Sequence, residues 1–548
     1  MSTPASVLLT VVLAFFLGFS AMTHDALARA KAAPRVTVAT PLGAVVGLEG
    51  AKTSSFKGIP YALPTAGGQR FKPPVPVGPW DGPLEAFNFG NACPQVRSPL
   101  VDLGPDTPGQ GEDCLSLNVW TPKGAKPGDD LPVYFFIHGG GFGVGAGSQP
   151  VFDGAALASE GIILVTVNYR LGAFGFLASR ETFKESGTTG NWGILDQIAA
   201  LEWVRDNISS FGGDPKKVTI GGESAGSISV SVLIASPRAA DLFRGAVMES
   251  GTIFSYRQTA GARGRLDQAQ RAGALMGSVV GGGDTPEGLA NLRRLEADEL
   301  ALVSSFNLDM RRVNVLGPVP VSDGVVLPED NQRALAAAPG SRVNVLVGFN
   351  ADEGSIFVFD DGSPPEVYKT GILSVLGLPA ADAFNKRFPV DQNHTHVQRA
   401  REAAAYGLFT SAAKRFADVY SRWGKVWMYR FDYVSDFGRR AGIGAYHSSE
   451  LEYVFGNQPV KTRPEQRVLG EELRARWVSF IKTGDPNNGN PPGKLNWPVY
   501  NPADPRVIRF DKTVVVTPLP EAEDLEFMAR QLHGPVPGPP RTGLATGE

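Results

Sequence analysis

Apolar positions recur along this chain in two rhythms. Near the start, Arg35–Ala39 and Val45–Glu49 alternate apolar and polar residues around Pro41-Leu42-Gly43, the period-2 pattern of a half-buried β-hairpin. Further on, Val133–Ile137, Ile162–Val167, Val218–Ile220, Val343–Val347 and Val426–Phe431 are almost continuously apolar, with Val507–Phe510 a weaker instance. Strands without a polar side are covered on both faces, the condition of a central sheet between helices. Gly193–Asn207 places Ile194, Ile198, Leu201 and Val204 on one helical face. Ser227–Ala235, Asp267–Leu275, Glu471–Thr483 and Glu521–Leu532 are the other helical stretches. Strands alternating with helices predict an α/β fold with a large, mostly parallel sheet. No internal repeat or clean linker interrupts the pattern, so residues 31–532 read as one domain with long insertions.

The two ends break this pattern. Val7–Phe19 is about 13 residues of nearly unbroken apolar character, short of the ~20 a membrane-spanning helix needs and suited to a signal-peptide core. Ala26-Leu27-Ala28 and Ala28-Arg29-Ala30 offer cleavage patterns, so residues 1–30 are expected to be a leader. Met1–Ser6 carries no Lys or Arg, which leaves the α-amino group as the only positive charge before the apolar run. Residues 533–548, rich in Gly and Pro, read as a loose tail. Export implies a secreted or periplasmic protein in an oxidising compartment, where the two cysteines, Cys93 and Cys114, are expected to pair. Closing that loop stabilises by roughly 3 kcal/mol in chain-entropy arithmetic.

Composition narrows the function classes. Among 548 residues, 52 basic and 55 acidic side chains give a net charge of −3, no field for holding a phosphate backbone, so nucleic acid is not an expected partner. Two cysteines exclude a cysteine-rich zinc site. The 65 glycines and 43 prolines, about a fifth of the chain, stay below the level that signals disorder.

Candidate chemistry begins at Gly222-Glu223-Ser224-Ala225-Gly226. A G-x-S-x-G match alone is weak, but here a strand (Val218–Ile220) precedes it and a helix-compatible run (Ser227–Ala235) follows, so Ser224 is expected on a sharp strand-to-helix turn. The helix N-terminus favours negative charge developing there. His138-Gly139-Gly140-Gly141-Phe142 directly follows the strand Val133–Ile137. Side-chain-free Gly140 and Gly141, with Ala225, would offer three N–H groups as an oxyanion hole. A phosphate-binding loop is the rival reading, and it lacks the following Lys-Ser/Thr.

A nucleophilic serine needs a base. Of six histidines, His24 lies in the leader, His533 in the tail, and His138 beside the glycines. His394 and His396 sit in the polar stretch Asp391–Gln398; an H-x-H pair can bind metal, but no third ligand is near, and a solvated loop is the expected setting. His447 remains, in a glycine-containing loop after the strand Val426–Phe431. Asp352 and Glu353 both follow the strand Val343–Val347 and could each orient the base. Chemistry leaves both open. The chain order serine, acid, histidine is that of α/β-hydrolases.

These residues resemble the type-B carboxylesterase family. The stretch Phe211-Gly212-Gly213-Asp214-Pro215 through Gly226 is similar to its serine signature, and Glu112-Asp113-Cys114-Leu115 with Leu117-Asn118-Val119-Trp120 to its second, with Ser116 a departure. Fragments at Phe56–Ala62, Gly190–Gly193, Leu195–Gln197 and Trp497–Tyr500 extend the likeness over about residues 35 to 530. The resemblance implies an α/β-hydrolase fold and a Ser224-Glu353-His447 triad, with the glutamate as acid. It implies the oxyanion hole Gly140, Gly141 and Ala225, and supporting roles for Glu223, Ser250 and Glu450. It also implies ion pairs Arg70/Glu112 and Arg170/Asp196, and a Cys93–Cys114 disulfide. The expected reaction is two-step acyl transfer on a small-molecule ester, with no metal or cofactor and no membrane insertion after leader cleavage. The Pro94–Asp113 loop has no aromatic to bind a quaternary ammonium and is too short and charged for a lipase lid, which disfavours choline esters and interfacial activation. A lipase-like long-chain hydrolase and a non-catalytic neuroligin-like binding protein are the alternatives. Two sequons, at Asn207 and Asn393, complete the inventory.

Overall fold

The computed structural model describes residues 34–98, 101–255, 261–303, 319–328, 334–335, 342–459, 462–488 and 495–536. Residues 1–33, which include the expected leader, and residues 537–548 lie outside the described residues.

One sheet runs through the molecule. Its strands are β1 (Arg35–Thr40), β2 (Gly43–Glu49), β3 (Thr53–Pro60), β4 (Leu84–Glu85), β5 (Ser116–Pro122), β6 (Leu131–Ile137) and β7 (Ile163–Val167). They continue as β8 (Gly213–Glu223), β9 (Gly245–Glu249), β10 (Asn344–Asn350), β11 (Val426–Phe431), β12 (Arg506–Phe510) and β13 (Val515–Pro518). The spatial order is β1-β2-β3-β5-β7-β6-β8-β9-β10-β11-β12-β13, with β4 beside β2. From β7 to β12 all neighbours are parallel, while β1, β2, β3, β5 and β7 pair antiparallel in turn, as β13 does with β12. The hairpin expected at the start is β1–β2, paired from Arg35↔Leu48 to Thr40↔Gly43.

The apolar runs are buried on both faces, as their composition requires. In β6, Val133, Phe135 and Ile137 pack into one core and Tyr134 and Phe136 into the other, the alternation that a pleated strand imposes. The first core is covered by α1 (Trp192–Asn207) and α2 (Ala225–Ala235), and α3 (Gly261–Val279), α4 (His396–Ala405) and α5 (Ser411–Tyr420) follow in the chain. The second core is covered by α6 (Pro464–Thr483), through Trp477, Phe480 and Ile481; α7 (Ala522–His533) closes the described chain.

Several elements depart from the sequence pattern for physical reasons. In α1 the expected single apolar stripe is instead burial nearly all round, including Asp196 and Gln197. Asp196 is tolerated there because Arg170 grips both its oxygens at 2.7 and 2.8 Å. Arg70 likewise meets Glu112 at 2.6 Å and spends another nitrogen on the carbonyls of Leu292, Arg293 and Leu295. β9 is too short, and ends on too polar a residue, to register as an apolar run, yet every residue in it is buried. His533, assigned by composition to the tail, ends α7 with its ring 5.4 Å from Phe254. His394 lies in the loop expected for it, just before the N-cap, whereas His396 is the first residue of α4, where Thr395 and Gln398 form a capping box. Cys93 and Cys114 are joined, with Cα atoms 5.1 Å apart. No helix among the described residues is long and apolar enough to cross a membrane.

Candidate active site

The parallel strands deliver their carboxyl ends to one edge, where α/β sheets place their chemistry. β8 ends at Glu223, and α2 begins at Ala225, so Ser224 is the entire turn between them. Its backbone is held at φ 55°, ψ −120°, a conformation that costs a non-glycine residue roughly 1–3 kcal/mol. Two hydrogen bonds fix it: Ser224 N–H donates to the Glu249 carbonyl on β9 at 2.8 Å, and Ile228 N–H donates to the Ser224 carbonyl at 3.0 Å. The flanking glycines are a steric requirement. A Cβ on Gly226 would lie 2.0 Å from the Ile137 carbonyl oxygen, and one on Gly222 would lie 2.4 Å from the Gly226 carbonyl carbon.

The glycine turn after β6 faces this serine. A Cβ on Gly139 would sit 2.7 Å from Glu223 Oε2 and 3.0 Å from Ser224 Cβ, so only glycine permits the approach. Gly140, at φ 100°, accepts from Gly143 and Val144 N–H, both at 3.0 Å, which curls the loop back on itself. The N–H groups of Gly140, Gly141 and Ala225 donate to no group among the described residues. Gln95, inside the disulfide loop, holds the far end of the turn: its Oε1 accepts from Gly145 N–H at 2.7 Å and its Nε2 donates to the Gly145 carbonyl at 2.8 Å. His138 stacks on Tyr169 with ring centroids 4.5 Å apart, and burial pushes its pKa down to about 4, so it is neutral at pH 7.

β10 and the loop after β11 supply the acid and the histidine. Glu353 is fully buried; its Oε2 lies 2.5 Å from His447 Nδ1, and its Oε1 accepts from Asn350 N–H at 2.8 Å. Asp352 points elsewhere: its Oδ2 accepts from Ala445 N–H at 2.8 Å, and its own N–H donates to the Ala445 carbonyl at 3.0 Å. The two acids that the sequence left equivalent thus divide the work, one meeting the imidazole and the other pinning the loop that carries it. The ring of His447 is walled by Phe357 and Phe409, with centroids 5.2 and 4.4 Å away. Phe409 comes from a single π-helical segment, Tyr406–Thr410, between α4 and α5, the kind of helix irregularity that often marks functional sites.

His447 Nε2 stands 3.0 Å from Glu223 Oε1, but out of line, so it makes no hydrogen bond; Glu223 Oε1 instead accepts from Ser448 Oγ at 2.6 Å. Ser224 Oγ is likewise without a hydrogen bond among the described residues. Neither Ser224 Oγ nor His447 Nε2 is therefore committed to a hydrogen-bond partner among the described residues. Burial lowers the pKa of His447, and the carboxylates of Glu223 and Glu353 more than reverse this, leaving it above the usual imidazole range.

The structure therefore brings together Ser224, His447, Glu353, Gly140, Gly141 and Ala225, with Glu223 beside the imidazole. Glu450 Oε2 accepts from Asn350 Nδ2, and Ser250 sits behind the serine turn at φ 57°, its N–H donating to the Gly348 carbonyl at 2.9 Å. Sequence reasoning missed Glu249, Asn350, Ser448, Gln95 and Phe409. For Glu249 the signal was present: a carboxylate closing an otherwise apolar pentapeptide, Gly245–Glu249. His394 is far from this constellation in role, paired with Asp391 at 3.1 Å, and the described residues contain no metal-binding cluster.

Comparison with known proteins agrees with this geometry. A profile of the carboxylesterase family matches residues 34–528. The chain is 35% identical over 500 residues to the para-nitrobenzyl esterase of Bacillus subtilis (strain 168), an alignment that covers 89% of this chain and 97% of that protein. It is 33% identical to the fumonisin B1 esterase of Sphingopyxis macrogoltabida, covering 85% of each. A solved structure of PNB esterase superposes with a TM-score of 0.77 at 35% identity, covering 90% of this chain and 99% of that one. With an α/β-hydrolase fold and relatives of this kind along nearly its whole length, the chain belongs to the carboxylesterase family and is a carboxylic ester hydrolase.

Proposed function

We propose that this hydrolase is a serine carboxylesterase in which Ser224 is the nucleophile, His447 the general base and Glu353 the carboxylate that orients it. The observation that carries the reading is the 2.5 Å contact between His447 Nδ1 and the fully buried Glu353, set beside a strained serine turn. Ser224 Oγ attacks the ester carbonyl as His447 takes its proton, and Glu353 stabilises the imidazolium that forms. The N–H groups of Gly140, Gly141 and Ala225 receive the negative oxygen of the tetrahedral intermediate. His447 then gives its proton to the leaving alcohol, and water repeats the cycle on the acyl-enzyme.

The substrates we infer are soluble esters of modest size. The Pro94–Asp113 loop carries no aromatic residue that could bind a quaternary ammonium, and its charged residues do not form an apolar lid. The Cys93–Cys114 disulfide supports the reading of residues 1–30 as an export leader, with secretion or a periplasmic location following from it. Hydrolysis of p-nitrophenyl esters of increasing acyl length tests the substrate class. We expect the highest kcat/KM on short and medium chains, with none of the jump above the micellar concentration that marks a lipase. Ser224→Ala is expected to abolish turnover while leaving the melting temperature within about 3 °C; retained turnover overturns the assignment.

A further inference from the structure

Behind the serine turn lies a group of buried polar atoms that the acyl-transfer steps do not use. Glu249, Ser250, Asn350, Tyr429 and Glu450 are all fully buried, and Glu249 Oε2, Ser250 Oγ, Asn350 Oδ1, Tyr429 OH and Glu450 Oε1 have no hydrogen-bond partner among the described residues. Glu249 is the centre of this group. Its Oε1 accepts from Trp477 Nε1 at 3.1 Å and, more weakly, from Tyr134 OH at 3.4 Å, while Oε2 receives nothing. The titratable groups facing it are Glu223 at the end of β8, Tyr134 on β6, Tyr429 on β11 and Glu450 from the histidine loop, with Glu353 and His447 beyond. None is a lysine or arginine.

An ionised carboxylate here would keep one oxygen buried without a donor among the described residues and set a negative charge beside Glu223 and Glu450, both unfavourable in a buried site. A neutral acid removes both problems. Oε1 is then the carbonyl oxygen that takes the two donors, and Oε2–H becomes a donor rather than a buried charge without one. The same residue holds the nucleophile, since its carbonyl receives Ser224 N–H, and Glu223 and Glu249 are register partners across β8 and β9.

We propose that Glu249 is a positioning residue of this site that works as a neutral carboxylic acid, clamped by Trp477 and Tyr134 through Oε1 and carrying its proton on Oε2. In this form it fixes the end of β9 under the serine turn and keeps a further negative charge away from Glu223 and the imidazole. Burial, together with the neighbouring Glu223 charge, pushes its pKa up to about 8. The neutral form therefore predominates below that pH and is lost as pH rises through it.

Two measurements on the full-length protein test this, and only the second rests on the esterase reading. Infrared difference spectroscopy at pH 7 should show a protonated-carboxyl C=O absorption in the wild type that is missing from Glu249→Gln, whether or not the protein turns over ester. In pH profiles of blank-corrected p-nitrophenyl butyrate hydrolysis, wild-type kcat should fall about tenfold between about pH 7 and 9 as the acid ionises. Glu249→Gln, whose amide supplies the same acceptor and donor without titrating, should vary by less than about twofold over that range. An unchanged carboxyl absorption in Glu249→Gln overturns the proposal, and so does an alkaline limb that survives the substitution. Absence of ester turnover from the wild type would instead overturn the esterase reading, leaving the infrared result to decide the state of Glu249.

Discussion

Replacing Glu223 by Gln tests the electrostatics around the imidazole. Glu223 Oε1 stands 3.0 Å from His447 Nε2, and Glu353 Oε2 stands 2.5 Å from Nδ1, so the ring lies between two buried carboxylates. At an effective dielectric of ~20, opposite unit charges 3.0 Å apart attract by roughly 5 kcal/mol. That is an upper bound of about four pKa units, at ~1.4 kcal/mol each. Burial raises the carboxyl of Glu223 above its own usual range, while His447 and the Ser448 hydroxyl act in the opposite direction, so the Coulomb figure is only a ceiling. We expect its removal to lower the pKa of His447, by less than that ceiling, because Glu223 is the leading charge that raises it. The base acts in its neutral form, so kcat/KM is lost as pH falls through the folded-state pKa; in Glu223→Gln this acid limb moves to lower pH. The assay is kcat/KM for p-nitrophenyl acetate from about pH 5 to 9, each protein normalised to its own plateau. An acid limb displaced by less than about a third of a unit, or moved to higher pH, would refute the reasoning.

Further substitutions separate the roles drawn from the geometry. Glu353→Gln should lower kcat by about 10⁴-fold by presenting the wrong partner to His447 Nδ1, whereas Asp352→Ala, which frees the Ala445 N–H, should cost about 1 kcal/mol in urea unfolding and far less rate. Gly140→Ala places a Cβ 2.0 Å from the Val144 carbonyl oxygen at a backbone φ of 100°. The oxyanion turn must shift, and kcat is expected to fall about 10²–10³-fold while KM changes little. Replacing both Cys93 and Cys114 by Ala should lower unfolding stability by about 3 kcal/mol, measured by denaturant titration, and should loosen the Gln95 grip on Gly145.

Much of the architecture was legible because the sheet is buried on both faces. β6, β7, β10 and β11 announce themselves as apolar runs, and their ends fall within a few residues of the expected ones. β3 and β5 mix polar residues into their runs and did not stand out; Asn118 on β5 is buried because its amide donates to Thr166 Oγ1 on β7, a partnership the sequence does not display. The serine turn and the glycine turn were readable because their backbones tolerate no side chains, a constraint that is local in sequence. The acid was not readable from chemistry: Asp352 and Glu353 are adjacent, and only the loop bearing Ala445 and His447, about ninety residues away, distinguishes them. The family resemblance supplied that choice. Glu249, Ser448 and Phe409 were missed because their roles depend on contacts across strands and on one π-helical turn, for which a single sequence has no periodicity.

Ser224 is proposed as the nucleophile that takes up the acyl group, activated by His447. Covalent labelling with a fluorophosphonate, followed by peptide mass spectrometry, addresses it most directly. The account predicts one adduct per chain, on the peptide containing Ser224, absent from Ser224→Ala and formed at least about 10³-fold more slowly in His447→Ala. An adduct on a different residue, or undiminished labelling of Ser224→Ala, would contradict it.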